Sequence, residues 1–247
     1  MAGRFITFEG IDGSGKSTAI AAVEAHLAGS GPTVWRTREE TETPYGEVVR
    51  HAIQTKAPAL TTAFLFLADR AQHIPEIRQH LESGDVVCDR FAHSTLAYQS
   101  VTLAEQFEEP LEMLRDWHRP LDLWPDHVLL LDLPADVAVA RAEGRGATTP
   151  YEKVAFLEEV REAYLKLAQV EAERFTIIDA TQPPAAVAAD CIVVGIGARP
   201  RDDLAGAAVA ALALVLDQAS KTWILESVMN PPTVIEVTPF FNNLLAW

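Results

Sequence analysis

The sequence has 247 residues, of which 49% are hydrophobic and 22% are charged, so it can build a core and is not a disordered chain. Its formal net charge of −15 argues against a sequence-independent nucleic-acid binder, which needs a basic face to neutralise phosphates. Residues 5–8 (Phe-Ile-Thr-Phe) are strand-like, and no charged region followed by an apolar stretch precedes them, so we expect no signal peptide and a cytoplasmic protein.

Short apolar segments alternate with longer amphipathic segments along most of the chain. Each short segment is rich in Val, Ile, Leu or Phe and has polar or turn residues beside it, which is typical of a buried strand. Strands are predicted at residues 4–8, 33–37, 86–88, 128–133 and 175–178. Helices are predicted at residues 16–27, 46–54, 61–81, 103–117, 135–142 and 152–173. This alternation predicts an α/β fold in which helices cover both faces of a parallel five-stranded sheet.

Residues 10–17 read Gly-Ile-Asp-Gly-Ser-Gly-Lys-Ser and lie between the first predicted strand and the first predicted helix. This is the full spacing of a P-loop, in the context that supports one. The glycines let backbone N–H groups face phosphates, and the start of the helix adds its positive end. Lys16 would contact the β- and γ-phosphates, and Ser17 would offer a hydroxyl to Mg²⁺. The nucleoside triphosphate site is therefore expected at Gly10, Ile11, Asp12, Gly13, Ser14, Gly15, Lys16, Ser17 and Thr18.

Two further pairs of residues suit phosphate and base binding. Asp89 and Arg90 follow the third predicted strand, where a carboxylate can reach Mg²⁺ and an arginine can hold a second phosphate. A helix cap with an exposed arginine is the alternative. Phe66 and Arg70 are four residues apart on one helix face, so they can sandwich and hydrogen-bond a base. A core phenylalanine with a surface arginine is the alternative for this second pair.

A pair of arginines lies between two predicted helices. Residues 141–146 read Arg-Ala-Glu-Gly-Arg-Gly, which places Arg141 and Arg145 beside glycines. Such a segment suits a lid that closes over a triphosphate and neutralises the transferred group. A solvated loop is the alternative.

Taken together, these segments resemble the thymidylate kinase family over residues 4–196. Residues 8–18 are close to that family's P-loop, and residues 67–73 (Leu-Ala-Asp-Arg-Ala-Gln-His) match a second signature. Residues 89–99 (Asp-Arg-Phe-Ala-His-Ser-Thr-Leu-Ala-Tyr-Gln) match a third, and residues 159–164 resemble the helix after the family's lid. The resemblance implies a P-loop NTPase-type fold, a homodimer, and transfer of the γ-phosphoryl group of ATP, with Mg²⁺, to dTMP in deoxythymidine nucleotide biosynthesis.

The resemblance also implies roles for residues at the acceptor site. Asp12 would approach the 3′-hydroxyl of the nucleotide sugar, and Arg90 would hold the dTMP phosphate. Phe66 would stack on thymine, and Arg70 would hydrogen-bond to it.

Four further residues are implied at the acceptor site. Thr95 and Gln99 would lie near the base, and Tyr98 would crowd the 2′ position and exclude ribonucleotides. Arg38 is the fourth of these residues.

The glycine at position 13 has a consequence for the catalytic cation. Some members of the family carry a basic residue at this place in the P-loop, whereas this chain has Gly13. The resemblance therefore implies that the cation comes from the lid, as in bacterial-type members, with Arg145 the first candidate and Arg141 the second. Mg²⁺ would be held at Ser17 and Asp89.

The chain departs from the family pattern at three places. Residues 38–42 read Arg-Glu-Glu-Thr-Glu where the family has Arg-Glu-Pro-Gly-Gly, so a turn is lost and negative charge is added near the acceptor site. Residues 149–152 read Thr-Pro-Tyr-Glu, which removes one lid arginine. Phe91 replaces the usual tyrosine or histidine after Asp-Arg.

These departures keep two other hypotheses open. The altered residues 40–42 allow a P-loop kinase with a different nucleotide or nucleoside as acceptor. A degenerate, membrane-tethered nucleotide-binding module is the other hypothesis, and the intact Lys16, Ser17, Asp89 and Arg90 argue against it.

The pattern changes after residue 196, so we expect a kinase domain at 1–198 and an appendage at 199–247. Residues 197–203 form a plausible linker, and residues 204–216 carry no charge. Extended to residue 225, this hydrophobic helical segment is long enough to span a bilayer and would bring membrane association, while a soluble helix is the alternative. Residues 217–221 and 238–242 resemble the start of lipoprotein signal peptidase, cut before its catalytic aspartates, so no peptidase activity is expected.

Overall fold

A computed structural model describes residues 3–27, 33–143, 151–195, 235–238 and 241–243. The chain divides into two compact units, Met1–Ile196 and Gly197–Trp247. In the second unit, β6 (Ile235–Thr238) pairs antiparallel with β7 (Phe241–Asn243). The helix predicted over residues 204–225 lies outside the described residues. Within the described ranges, no helix is long and apolar enough to cross a membrane.

The first unit is built on a five-stranded parallel sheet. Its strands are β1 (Phe5–Glu9), β2 (Val34–Arg38), β3 (Asp85–Asp89), β4 (His127–Asp132) and β5 (Phe175–Asp179). Their order across the sheet is β2-β3-β1-β4-β5. The predicted α/β fold and its parallel five-stranded sheet are therefore confirmed. The prediction worked because strands covered on both faces appear in the sequence as short, nearly continuous apolar segments.

Eight α-helices are described in the first unit, together with a 3₁₀ turn at Arg119–Leu121. They are α1 (Lys16–Leu27), α2 (Pro44–Gln54), α3 (Ala59–Leu81), α4 (Ala92–Leu103), α5 (Pro110–His118), α6 (Ala135–Glu143), α7 (Tyr151–Val170) and α8 (Pro184–Gly195). Five of the predicted helices coincide with α1, α2, α3, α6 and α7, with differences at their ends.

The helix predicted at residues 103–117 is correct only from residue 110 onward, and two helices, α4 and α8, were missed. Leu103 ends α4, and the next helix begins at Pro110, because proline suits the first turn of a helix and disrupts its interior. The missed helix α4 is buried around most of its circumference, so it lacks the polar stripe that identifies an amphipathic helix. The missed α8 consists mainly of Ala and Val, which gives it little polar contrast.

The core has two clusters that the sheet separates. Residues alternate between the faces of a strand, so Phe5 belongs to one cluster with Ile74 and Ile77 of α3, whereas Ile6 and Phe8 belong to the other. Helices therefore pack on both faces of the sheet.

The pairing of the two central strands determines where the functional loops meet. β1 pairs with β3 in a register that places Phe8 opposite Asp89. The segments that follow these strands, the glycine-rich loop after Glu9 and the turn at Arg90, consequently leave the same edge of the sheet side by side. The carboxyl edge of an open parallel sheet is the usual place for a ligand site.

Candidate active site

Two cavities open at this edge of the sheet. The first, the P-loop cavity, has a volume of about 950 Å³ and is lined by residues 12–19, by Asp89 and Arg90, and by residues 180–184. The second, the α3–α4 cavity, has a volume of about 430 Å³ and is lined chiefly by α2, α3 and α4. Four residues line both cavities: Asp12, Glu39, Glu40 and Arg90. The two cavities thus share a boundary that carries one arginine and three carboxylates.

Three glycines of the P-loop have backbone conformations that other residues rarely adopt. The φ angles are +136° at Gly10, +88° at Gly13 and +91° at Gly15. A Cβ atom at Gly13 would lie 2.1 Å from the carbonyl oxygen of Ala138 in α6. The absence of a basic residue at this position therefore has a steric reason, because α6 leaves no room for any side chain.

Lys16 is held inside the P-loop. Its Nζ donates hydrogen bonds to the carbonyl oxygens of Gly10 and Ile11, both at 3.0 Å, and to Ser14 Oγ at 3.3 Å. Burial, followed by the nearby Arg90 guanidinium, lowers the pKa of Lys16 to about 7. A polyphosphate in the P-loop cavity would oppose this shift, since negative charge favours the protonated amine.

Ser17 and Asp89 provide oxygen atoms at the mouth of the P-loop. Ser17 Oγ donates to Asp89 Oδ2 at 3.1 Å, and both residues line the P-loop cavity. Hydroxyl and carboxylate oxygens are the ligands that Mg²⁺ prefers, usually with phosphate oxygens and water completing its shell. Within the described part of the chain, His, Cys, Asp and Glu form no cluster of three or more that could hold a metal by itself. The pair therefore fits a Mg²⁺ that arrives with a polyphosphate.

Arg90 lies where the two cavities meet. Its backbone is left-handed, with φ of +69°, and its carbonyl oxygen accepts a hydrogen bond from Cys88 Sγ at 2.9 Å. Its Nη2 donates to Asp12 Oδ1 at 2.6 Å, and its guanidinium lies 5.1 Å from the centre of the Tyr98 ring. The backbone N–H of Asp12 donates to the hydroxyl of Tyr98 at 3.1 Å. One arginine therefore links the P-loop to α4.

The α3–α4 cavity brings together most of the residues expected around a base. Phe66 and Arg70 of α3 line it, as do three residues of α4. Those three are Thr95, Tyr98 and Gln99. Arg38 is different, because it lines the P-loop cavity and lies 3.7 Å from the exposed Glu42.

Arg70 is buried, with 1% of its surface exposed, so the alternative of a surface arginine is wrong. Its Nη2 donates to Glu39 Oε2 at 2.5 Å and to Thr95 Oγ1 at 2.9 Å, and its Nε donates to the same Glu39 oxygen at 3.0 Å. Its Nη1 contacts His118 Nε2 at 2.5 Å. Sequence reasoning missed Glu39 and His118 as partners of this arginine, since no motif connects the three positions.

His118 is held in one neutral tautomer. Its Nδ1 lies 2.7 Å from the carbonyl oxygen of Leu114, which can only accept, so Nδ1 carries the hydrogen and Nε2 accepts from Arg70. Burial and the Arg70 charge lower the pKa of His118 to about 3. The ring therefore stays uncharged beside the guanidinium.

The altered segment at residues 38–42 is anchored by hydrogen bonds. Asp69 accepts from the backbone N–H of Thr41 at 2.9 Å and from its hydroxyl at 2.5 Å. Arg50 Nη1 donates to the carbonyl oxygen of Thr41 at 2.7 Å. Of the three glutamates, Glu39 is paired with Arg70 and Glu42 is exposed. The added charge that faces the cavities is consequently that of Glu40.

The lid arginines are only partly described. Arg141, in the last turn of α6, donates to the carbonyl oxygens of Ala180 at 2.6 Å and Thr181 at 3.1 Å, and it lines the P-loop cavity. Arg145 lies outside the described residues, as do residues 149 and 150 of the altered lid segment.

Comparisons with known proteins agree on one family. A family model described as thymidylate kinase matches residues 8–191. A probable thymidylate kinase of Methanococcoides burtonii is 45% identical over 181 residues, which cover 72% of this chain and 89% of the relative. A probable thymidylate kinase of Methanosarcina acetivorans is 43% identical over 189 residues, with coverages of 74% and 91%. A thymidylate kinase of Thermomicrobium roseum is 42% identical over 194 residues, with coverages of 74% and 90%.

Replacing Gly13 should show how tightly α6 constrains the P-loop. We expect Gly13→Ala to weaken binding of a nucleoside triphosphate analogue about tenfold or more, because strain of about 1–3 kcal/mol and the contact with Ala138 must both be relieved. Calorimetric titration measures the affinity for the analogue, and thermal unfolding measures the stability of the folded protein. Gly15→Ala is the matched control, since its φ is similar but no atom lies within 4 Å of the added Cβ. Equal losses of stability in both variants would contradict the role of α6.

The buried His118 should make stability depend on pH. Its pKa of about 3 in the folded protein lies below its ordinary value, so the unfolded chain binds a proton first as the pH falls. This contribution to stability is complete above about pH 6.5 and is lost toward pH 3, at up to about 1.4 kcal/mol per pH unit. We expect His118→Gln to flatten the pH dependence of the free energy of unfolding, measured in urea. The exposed His51→Gln variant should keep the wild-type slope, and equal slopes in all three proteins would refute the expectation.

Proposed function

Because the chain belongs to the thymidylate kinase family, we infer that it transfers the γ-phosphoryl group of ATP to dTMP and forms dTDP. The observation that carries this inference is the meeting of two cavities at Arg90. One cavity contains a P-loop and suits a triphosphate, and the other contains aromatic and hydrogen-bonding side chains and suits a base. Phosphoryl transfer requires this kind of placement, because it depends on positioning and charge neutralisation more than on a covalent nucleophile.

At the donor side, the triphosphate of ATP would lie along residues 10–18. Their backbone N–H groups and the start of α1 supply a positive field, and Lys16 would exchange its carbonyl partners for the β- and γ-phosphates. Ser17 and Asp89 would hold Mg²⁺, which supplies neutralising charge to the phosphates when it is bound.

At the acceptor side, the base of dTMP would enter the α3–α4 cavity. Phe66 would stack on thymine, and Arg70 would donate a hydrogen bond to it from a guanidinium already fixed by its buried partners. Arg90 would hold the phosphate of dTMP, and Asp12 would approach the 3′-hydroxyl. The remaining contacts would come from Arg38, Thr95, Tyr98 and Gln99.

The charge of the transferred phosphoryl group needs one more cation, because Gly13 supplies none. We propose Arg145 first and Arg141 second. Arg141 already reaches the P-loop cavity, where the carbonyl groups of Ala180 and Thr181 hold it. We also propose a homodimer, which is supported by exposed apolar side chains on α2 and α3. These are Tyr45, Val48 and Phe64.

We propose that residues 1–198 form a cytoplasmic kinase domain and that residues 199–247 are a separate appendage related to the start of lipoprotein signal peptidase. The division of the chain after Ile196 supports this boundary. Membrane association would come from residues 204–225, which are uncharged up to Leu216 and then include Asp217 and Lys221.

The donor and acceptor can be identified with one assay. We expect purified protein with ATP and Mg²⁺ to convert dTMP to dTDP faster than any other nucleoside monophosphate in a panel, scored by chromatography. Lys16→Ala should abolish this activity, because the γ-phosphate loses its point charge. Turnover of another monophosphate without turnover of dTMP would show a different acceptor. Full activity in Lys16→Ala would place the donor elsewhere.

Shortening the chain tests the appendage. We expect residues 1–198 and 1–247 to phosphorylate dTMP equally, since the family match ends at residue 191. After expression and fractionation, the longer chain should be enriched in membranes and the shorter one should not. If the two chains fractionate alike, the membrane proposal fails, and if the shorter chain loses activity, the proposed boundary fails.

A further inference from the structure

The two terminal nitrogens of Arg90 are held in different ways. Nη2 faces the shared boundary of the cavities and pairs with Asp12, whose side chain is 67% exposed. Nη1 donates to Ser94 Oγ at 3.0 Å, on a half-buried side chain that also lines the α3–α4 cavity, and lies 3.4 Å from the hydroxyl of Tyr164. The contact with Asp12 at Nη2 is thus exposed to solvent, whereas the contacts at Nη1 are partly buried.

A buried carboxylate lies behind Nη1. Glu9 has no exposed surface, and its Oε2 accepts from Ser94 Oγ at 2.5 Å and from the Tyr164 hydroxyl at 3.0 Å. Its Oε1 accepts from the backbone N–H of Phe91 at 2.9 Å. The hydrogen bonds therefore run in one direction, from Arg90 through Ser94 to Glu9.

This network joins three elements of the fold at the arginine. Glu9 is the last residue of β1 and directly precedes the P-loop, Ser94 is in the first turn of α4, and Tyr164 is on α7. Burying a carboxylate costs free energy unless hydrogen-bond donors satisfy it. The two hydroxyl groups that donate to Glu9 are also the groups that contact Nη1 of Arg90. The two hydroxyl groups also contact each other, with 2.7 Å between Ser94 Oγ and the hydroxyl oxygen of Tyr164.

We propose that Glu9, Ser94 and Tyr164 are positioning residues for the phosphoryl acceptor. They hold Nη1 of Arg90, so that Nη2 alone exchanges Asp12 for the acceptor phosphate. This rests on the proposed function of Arg90. A guanidinium fixed at one edge loses little rotational freedom when the phosphate binds, so the network lowers the cost of acceptor binding. The proposed donor site at residues 10–18 includes none of these three residues, so binding of the donor nucleotide should be unaffected.

The variants Ser94→Ala and Tyr164→Phe each remove one hydroxyl with little change in shape, and Glu9→Gln replaces one accepting oxygen with a donor. We expect each to raise the KM for dTMP about tenfold, the size of a hydrogen bond to a charged group, while the KM for ATP changes less than about twofold. Ser94→Thr keeps a hydroxyl and should restore most of the affinity. Ser100→Ala is the matched control, since this buried α4 hydroxyl donates only to the carbonyl oxygen of Ala97.

A double-mutant cycle tests whether the effect passes through the arginine. If it does, adding Ser94→Ala to Arg90→Lys should raise the KM for dTMP less than about twofold further, because the edge it holds is already gone. Three results would each overturn the proposal: additive effects of the two substitutions, an unchanged KM for dTMP in Ser94→Ala, or equal increases in the KM values for dTMP and ATP. The proposed function would remain intact in these cases, provided that the wild-type protein turns over dTMP. Absence of dTMP turnover in the wild type would overturn both.

Discussion

The parallel pairing of β1 with β3 is the constraint on which the site depends. Its register places Phe8 opposite Asp89, so the P-loop and the turn at Arg90 emerge as neighbours. The backbone N–H of Arg90 donates to the carbonyl oxygen of Phe8 at 3.0 Å, which extends the pairing one residue beyond the strand. The P-loop and the arginine at the boundary of the two cavities consequently belong to one edge of the sheet. A register shift of one residue would turn both to the wrong face.

The cavities of this acidic chain contain a few cationic side chains that protein partners already hold in place. Lys16 is held by carbonyl oxygens, Arg70 by Glu39, and Arg90 by Asp12 and the buried network behind it. Each cation is therefore placed by the protein itself, and the proposed binding of phosphate or base would need little reorganisation. The depressed pKa of Lys16 follows from the same arrangement, since burial and a neighbouring guanidinium disfavour its charge until a polyphosphate is present.

The altered residues 38–42 show how tertiary contacts can replace a missing turn motif. Proline and glycine would shape such a segment through their own backbone preferences. Here Asp69 and Arg50 hold Thr41 through its backbone and side chain, and Arg70 neutralises Glu39. Of the two added glutamates, Glu42 is exposed and Glu40 faces both cavities, while side chains on α2 and α3 hold the residue between them.

The sequence by itself determined the sheet and the phosphate loop, because both signals are local. Buried parallel strands are continuous apolar segments, and a P-loop is a run of adjacent residues with a fixed spacing. It did not determine α4 or α8, whose faces lack polar contrast, or the partners that orient the arginines. Glu39 lies 31 residues from Arg70 along the chain, and His118 lies 48 residues from it. Tyr164 lies 155 residues from Glu9. Only the folded chain brings such residues together, since burial in a shared core selects contacts that no short-range pattern records.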